Sequence, residues 1–191
     1  MKLIVGLGNP GREFTFSRHN IGFLVINRLA RINGIALKER KFKSRWGKGE
    51  ISGHMVILAK PYTFMNLSGK AVKRFQEEFE LEPHQLIVIQ DDLDLYFGRI
   101  KIKERGGNGG HKGIRSIMDV IGGDVFTRVK VGIGKPHLDM DVTEYVLQPF
   151  DERQEVLLND VISRAQAAVE LLLEAGVQAA MNRFNLRSKT R

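Results

Sequence analysis

The sequence predicts an α/β fold: a single three-layer α/β/α domain over residues 1–191, with a twisted mixed β-sheet between its helices. Three observations point there. Short apolar runs alternate along the chain with longer stretches whose apolar residues recur at helical spacing, the pattern of helices laid on a sheet. The segment Leu86 to Gln90 is led by an unbroken apolar run, as in a strand covered on both faces. Gly98 to Lys103 and Thr127 to Ile133 alternate instead, with Ile100, Ile102, Val129 and Val131 set against Lys101, Lys103, Arg128 and Lys130, so each has one polar face.

The elements follow in order. Lys2 to Leu7 is a strand that stops among Gly6, Gly8 and Gly11. Asn20 to Asn33 is an amphipathic helix, with Ile21, Leu24, Val25, Leu29 and Ile32 on one face and Gly34 as its cap. Trp46 to Ser52 and His54 to Lys60 pair around Ser52-Gly53 and end at Pro61. Asn66 to Phe79 is helical. The longest element, Asp151 to Ala175, opens on the capping pair Asp151 and Gln154 and closes at Gly176. The tail from about residue 185 is expected to be flexible.

Composition narrows the function. Cysteine is absent, so thiolate chemistry and disulfides are excluded, and the expected location is the cytoplasm. No apolar run approaches the roughly 20 residues of a spanning helix. The formal charge of +8 comes from 30 basic and 22 acidic residues. The basic ones gather in three tracts: residues 38–48, with Phe42 and Trp46 interleaved; residues 99–115; and a tail with Arg183, Arg187, Lys189 and Arg191. Single charge runs are ordinarily solvated faces, but three of them with the acids segregated elsewhere suit a polyanionic partner.

The loop after the first strand carries the most chemistry. Gly6, Gly8 and Gly11 satisfy G-x-G-x-x-G, yet Pro10 follows at once and no helix opens at Gly11. About 20 residues on, where a ribose-binding acid is needed, the chain reads Asn27-Arg28-Leu29-Ala30-Arg31, which rules out a dinucleotide site. The glycine run 106–113 fits no P-loop register, the five histidines show no metal-binding spacing, and Ser68 lies in no nucleophile elbow. What remains is a loop with Asn9, Arg18, His19 and Asn20, a strand-end Asp91, and Asn66 at a helix start. Each has a bland alternative: Asn66 as a cap, Asp91 as a turn former, His19 as a satisfied loop histidine. Together they suit hydrolysis by an activated water. An imidazole can take the water's proton near neutral pH, a carboxylate can fix its tautomer, and amide N–H₂ groups can hold the carbonyl and its oxyanion.

The blocks Val5-Gly6-Leu7-Gly8-Asn9-Pro10-Gly11, Ser17-Arg18-His19-Asn20-Ile21-Gly22, Phe64-Met65-Asn66-Leu67-Ser68-Gly69, Asp91-Asp92-Leu93-Asp94-Leu95 and Gly109-Gly110-His111-Lys112-Gly113 resemble the signature blocks of bacterial peptidyl-tRNA hydrolases, in order and spacing. The resemblance implies cleavage of the ester joining a peptide to the 3′-ribose of tRNA, by a cytoplasmic monomer using no metal or cofactor. It makes His19 the base and Asp91 its orienting carboxylate, with Asn9 and Asn66 binding carbonyls and water. It puts Phe14 and Lys112 at the substrate and Lys101, Lys103 and Lys130 at tRNA phosphates. Three positions depart from the pattern: Phe14 for Tyr, Ser17 for Thr, and Lys112 for Asn. The rival reading is a non-hydrolytic RNA-binding relative on the same scaffold. On this sequence, Asp91→Asn is expected to cost less activity than His19→Ala, because the base remains.

Overall fold

The computed structural model describes residues 1–186, so Arg187, Lys189 and Arg191 of the basic tail lie outside the described residues. Six strands form one sheet in the order β2-β3-β1-β4-β6-β5: β1 (Lys2–Gly6), β2 (Ser44–Ile51), β3 (His54–Pro61), β4 (Leu86–Asp92), β5 (Ile100–Lys103) and β6 (Thr127–Gly132). The four central strands run parallel, and the edge strands β2 and β5 pair antiparallel, which makes the sheet mixed. The β2–β3 hairpin turns at Ser52 and Gly53, both with positive φ (49° and 76°), the geometry that keeps the strand twist through a two-residue turn.

Helices α1 (Ile21–Ile32) and α5 (Glu152–Phe184) cover one face, burying Ile4, Ile87, Ile89, Val129 and Val131 against Leu29, Ala165 and Val169. Helices α2 (Ser68–Phe79) and α3 (Lys112–Ile121) cover the other, closing Leu3, Val5 and Val88 under Phe75, Ile114 and Ile117. This is the three-layer arrangement expected from the alternation of strands and helices. Among the described residues, no helix is long and apolar enough to cross a membrane.

Four departures bear on the site. Strand β4 runs through Asp92, so Asp91 is a buried strand residue rather than a turn former. Helix α3 starts inside the glycine-rich run; its apolar residues Ile114, Ile117, Met118 and Ile121 have helical spacing, but the glycines drew the reading toward a ligand loop. The short helix α4 (Val142–Leu147) was likewise not foreseen; the Asp141 side chain caps it by accepting from the N–H groups of Thr143 and Glu144. Gly176 does not end the last helix; it breaks it (φ 81°) and the helix resumes to Phe184.

The glycines of the opening loop turn out to serve packing. A Cβ on Gly6 would lie 2.2 Å from the Gly22 carbonyl oxygen, and one on Gly22 would lie 2.5 Å from the Leu7 nitrogen. Only paired glycines let α1 descend this far onto β1. That contact delivers the turn before α1, which carries His19, to the end of the sheet.

Candidate active site

The carboxyl ends of parallel strands are where an α/β sheet opens a crevice, and here β1 and β4 end side by side. A cavity of about 660 Å³ lies there, with Asn9 and His19 on one side, Asp91 and His111 on its floor, and Asn66 and Lys112 at its exposed rim. Phe64, Met65, Leu93, Val142 and Leu147 make the remaining wall largely apolar.

Each polar group is held by its own element. His19 sits in the 3₁₀ turn Arg18–Asn20, anchored by the buried side chain of Arg18. The Arg18 guanidinium donates to the Pro149 carbonyl at 2.6 Å and to Gln154 Oε1 at 3.0 Å, and it lies 4.2 Å over the Tyr145 ring. Asn20 clamps the first loop: its Oδ1 accepts from the Asn9 N–H at 2.7 Å and its Nδ2 donates to the Asn9 carbonyl at 2.9 Å. The Asn9 side chain then accepts from the Met65 N–H at 2.9 Å. That bond uses the amide oxygen and leaves the N–H₂ as the half that can serve a ligand. Asn66 caps no helix. It is exposed in the turn before α2, and among the described residues its amide bonds to no other group.

His19 Nδ1 lies 2.8 and 2.9 Å from the two oxygens of Asp91, and His111 Nε2 lies 3.0 Å from Oδ1. His111 Nδ1 accepts from the N–H groups of Gly113 and Ile114 at the start of α3, so its proton is on Nε2 and points at Asp91. A carboxylate only accepts, so the His19 proton is on Nδ1 and its Nε2 carries the lone pair. Burial by itself pushes the Asp91 carboxyl up. The neighbouring imidazoles outweigh it, through charge and through their hydrogen bonds, and hold Asp91 far below the ordinary carboxylate range. Asp91 is therefore a fixed anion that orients His19. His19 is not a fully satisfied loop histidine: one nitrogen is bound and the other is available.

His19, Asp91 and His111 also place three potential metal-ligating atoms within 4.8 Å of one another, which the scattered histidines of the sequence did not foreshadow. The donor set does not suit an ion, because both nitrogens facing Asp91 are the protonated ones and His111 cannot change tautomer without losing two backbone donors.

The family model described as peptidyl-tRNA hydrolase matches residues 3–191. The chain belongs to the peptidyl-tRNA hydrolase family. A peptidyl-tRNA hydrolase of Chloroflexus aggregans is 44% identical over 186 residues, covering 97% of this chain and 99% of that protein. One of Clostridium novyi is 43% identical over 185 residues, with 97% and 98% covered. The crystal structure of peptidyl-tRNA hydrolase from Acinetobacter baumannii matches with a TM-score of 0.91 at 40% identity, covering 97% of this chain and 94% of that one.

Among the residues singled out by resemblance to peptidyl-tRNA hydrolases, the structure brings Asn9, His19, Asn66, Asp91 and Lys112 to one cavity. Phe14 stands outside its lining, half-buried in the preceding turn, where its carbonyl accepts from both the N–H and the hydroxyl of Ser17. Lys101 and Lys130 face each other directly across β5 and β6, with Lys103 two residues on. Lys130 forms an ion pair with Asp92, whereas no ion pair among the described residues involves Lys101 or Lys103. Arg128 corrects the alternation reading: it is buried, and its guanidinium donates to the carbonyls of Gly107 and Asp124, bracing the glycine loop instead of facing a partner. His111, which lines the cavity and bonds Asp91, is the residue that sequence reasoning left unassigned. Its signal was a histidine directly after Gly109-Gly110 and directly before a helical apolar repeat.

Proposed function

We propose that peptidyl-tRNA is hydrolysed in this cavity by a water that His19 activates. Membership of the family gives the chain that activity; the geometry supports a division of labour within it. The observation that carries the proposal is the bond from His19 Nδ1 to Asp91, which leaves Nε2 as a base on the cavity side. The water gives its proton to Nε2 as its oxygen attacks the ester carbonyl carbon. Asp91 stabilises the imidazolium without taking the proton. The Asn9 N–H₂ and the Asn66 amide serve the carbonyl and the developing oxyanion. The tetrahedral intermediate then expels the ribose 3′-oxygen, which takes the proton back from His19, so peptide acid and free tRNA leave with atoms balanced. The apolar wall at Phe64, Leu93, Val142 and Leu147 suits the peptide, and Lys112 at the rim faces where the 3′ end enters. Lys101 and Lys103 suit phosphates of the tRNA, and Lys130 joins them through its tie to Asp92. In this reading the chain works in the cytoplasm as a monomer and needs no metal.

The test is His19→Ala, assayed on N-blocked aminoacyl-tRNA and on a small acyl ester. The expected loss is on the order of 10²- to 10⁴-fold, with tRNA binding retained. Wild-type turnover by the variant sinks the proposal.

A further inference from the structure

The basic tract at residues 38–48 has no part in that reading, and the structure gives it a shape. Phe42 and Lys43 both have positive φ (57° and 50°) and form the centre of a tight turn closed by the Ser44 N–H on the Lys41 carbonyl at 3.0 Å. Neither is glycine or asparagine, and a left-handed backbone costs such residues about 1–2 kcal/mol each. Phe42 is held there by its ring, which meets Phe75 edge-on at 4.9 Å within a cluster that includes Trp46 and Phe79. The interleaved aromatics are thus half-buried and pack against the core. Locking Phe42 down sets the exposed Lys43 against α2, where Lys70, Lys73 and Arg74 share one helical face.

These four cations line a second cavity of about 660 Å³, floored by Phe42 and Val120. Glu77 is its one acid, and it is already paired with Arg74 at 3.4 Å. Among the described residues, Lys43, Lys70 and Lys73 enter no ion pair. Like charges gathered without counter-charges repel, and the packing of Phe42 adds Lys43 to the group, so an anion in this cavity relieves the repulsion. Helix α2 begins two residues after Asn66 at the rim of the active-site cavity. At about 1.5 Å per residue, Lys70 and Lys73 stand roughly 6 and 10 Å further along, within reach of a nucleic acid whose end lies in that cavity.

We infer that the cavity between the 42–43 turn and α2 is a second phosphate-binding site for the RNA backbone, separate from the lysines of β5 and β6, and that it holds the body of the substrate whose 3′ end occupies the active site. This rests on the proposed function for the identity of the RNA. The site suits phosphodiester oxygens, because its donors are ammonium and guanidinium groups on exposed stems that can follow an RNA backbone.

The test replaces Lys43, Lys70 and Lys73 with Ala together, alongside a control that removes three charges from the opposite face (Arg31, Arg153 and Arg164 to Ala, all exposed on α1 and α5). Binding of deacylated tRNA is measured across a salt series, and turnover is measured on peptidyl-tRNA and on a short ester mimic lacking the tRNA body. For three lost phosphate contacts the salt slope should fall by about 2 to 3 log units, and affinity near 0.15 M salt should fall on the order of a hundredfold. KM for peptidyl-tRNA should rise with kcat unchanged, and the mimic should be untouched. Inorganic phosphate should compete with tRNA far more weakly than a second RNA does; equal competition would mean a free-anion site and overturn the RNA assignment. An unchanged salt slope, an equal loss in the control, or an equal loss on the mimic would overturn the inference as well. Failure of both proteins to cleave any ester would count against the proposed function alone, because the binding arm decides this site independently.

Discussion

Asp91→Asn tests the geometry most sharply, because the hydrogen bonds at Asp91 argue for a larger loss than the one expected from sequence. An asparagine at 91 keeps the shape but offers one acceptor and one N–H₂ where the carboxylate offered two acceptors. In the wild type Oδ1 accepts from both imidazoles, and Oδ2 adds a second contact to His19 Nδ1 at 2.9 Å. His111 cannot yield, since its Nδ1 already accepts from Gly113 and Ile114 and its proton must stay on Nε2. The amide oxygen therefore keeps the Oδ1 place beside His111, and its N–H₂ takes the Oδ2 place, 2.9 Å from His19 Nδ1. A donor at that distance repels a proton on Nδ1 and favours the His19 tautomer protonated on Nε2, which takes the lone pair from the cavity side. A wrong tautomer is as damaging as a missing base, so turnover should fall on the order of 10³- to 10⁴-fold, or about 4–5.5 kcal/mol at about 1.36 kcal/mol per decade. Binding of tRNA should be unaffected. The assay is single-turnover hydrolysis of N-blocked aminoacyl-tRNA, with a second variant as the control that matters. In Asp91→Asn combined with His111→Ala, the amide is free to rotate its oxygen to His19, and at least tenfold of the loss should return. A single variant that keeps more than a tenth of wild-type activity, or a double variant with no recovery, would refute the tautomer argument.

Three further outcomes are expected. Asp91 is held far below an ordinary carboxyl, so it contributes stability fully above the unfolded-state value of about 3.9 and loses that contribution as pH falls through its lower folded value; urea unfolding of wild type and Asp91→Asn should show a gap that is constant above about pH 5 and narrows as the solution is acidified below about pH 4. Gly6→Ala drives a methyl to 2.2 Å from the Gly22 carbonyl and 2.6 Å from Ile26 Cγ1, so it should cost about 3 kcal/mol or more and lower Tm by roughly 6–12 °C, with activity lost beyond the fraction unfolded because α1 carries His19 away. Lys112→Asn removes a cation from the exposed cavity rim; turnover of N-blocked aminoacyl-tRNA should change by less than about tenfold, and a larger loss would put the ammonium among the reacting groups.

Much of this molecule was legible in the chain because its information is local. Apolar periodicity placed the strands and most helices, since burial on one face or two leaves a period that any reader can count. The strand-ending loop with Asn9, His19 and Asn20 announced a site because glycine, amides and an imidazole rarely gather in a dozen residues for packing alone. What the sequence could not settle is how residues far apart divide their hydrogen bonds. His19 and Asp91 are 72 positions apart and His111 a further 20, and only the descent of α1 onto β1 through Gly6 and Gly22 sets them on one carboxylate. Arg128 and Lys130 alternate identically in sequence, yet one is buried under a glycine loop and the other is paired with Asp92, which lines the cavity. Periodicity says which face a side chain leaves from, but the partner it meets there, and therefore its charge state and its use, is decided by the packing of elements that the chain brings from elsewhere.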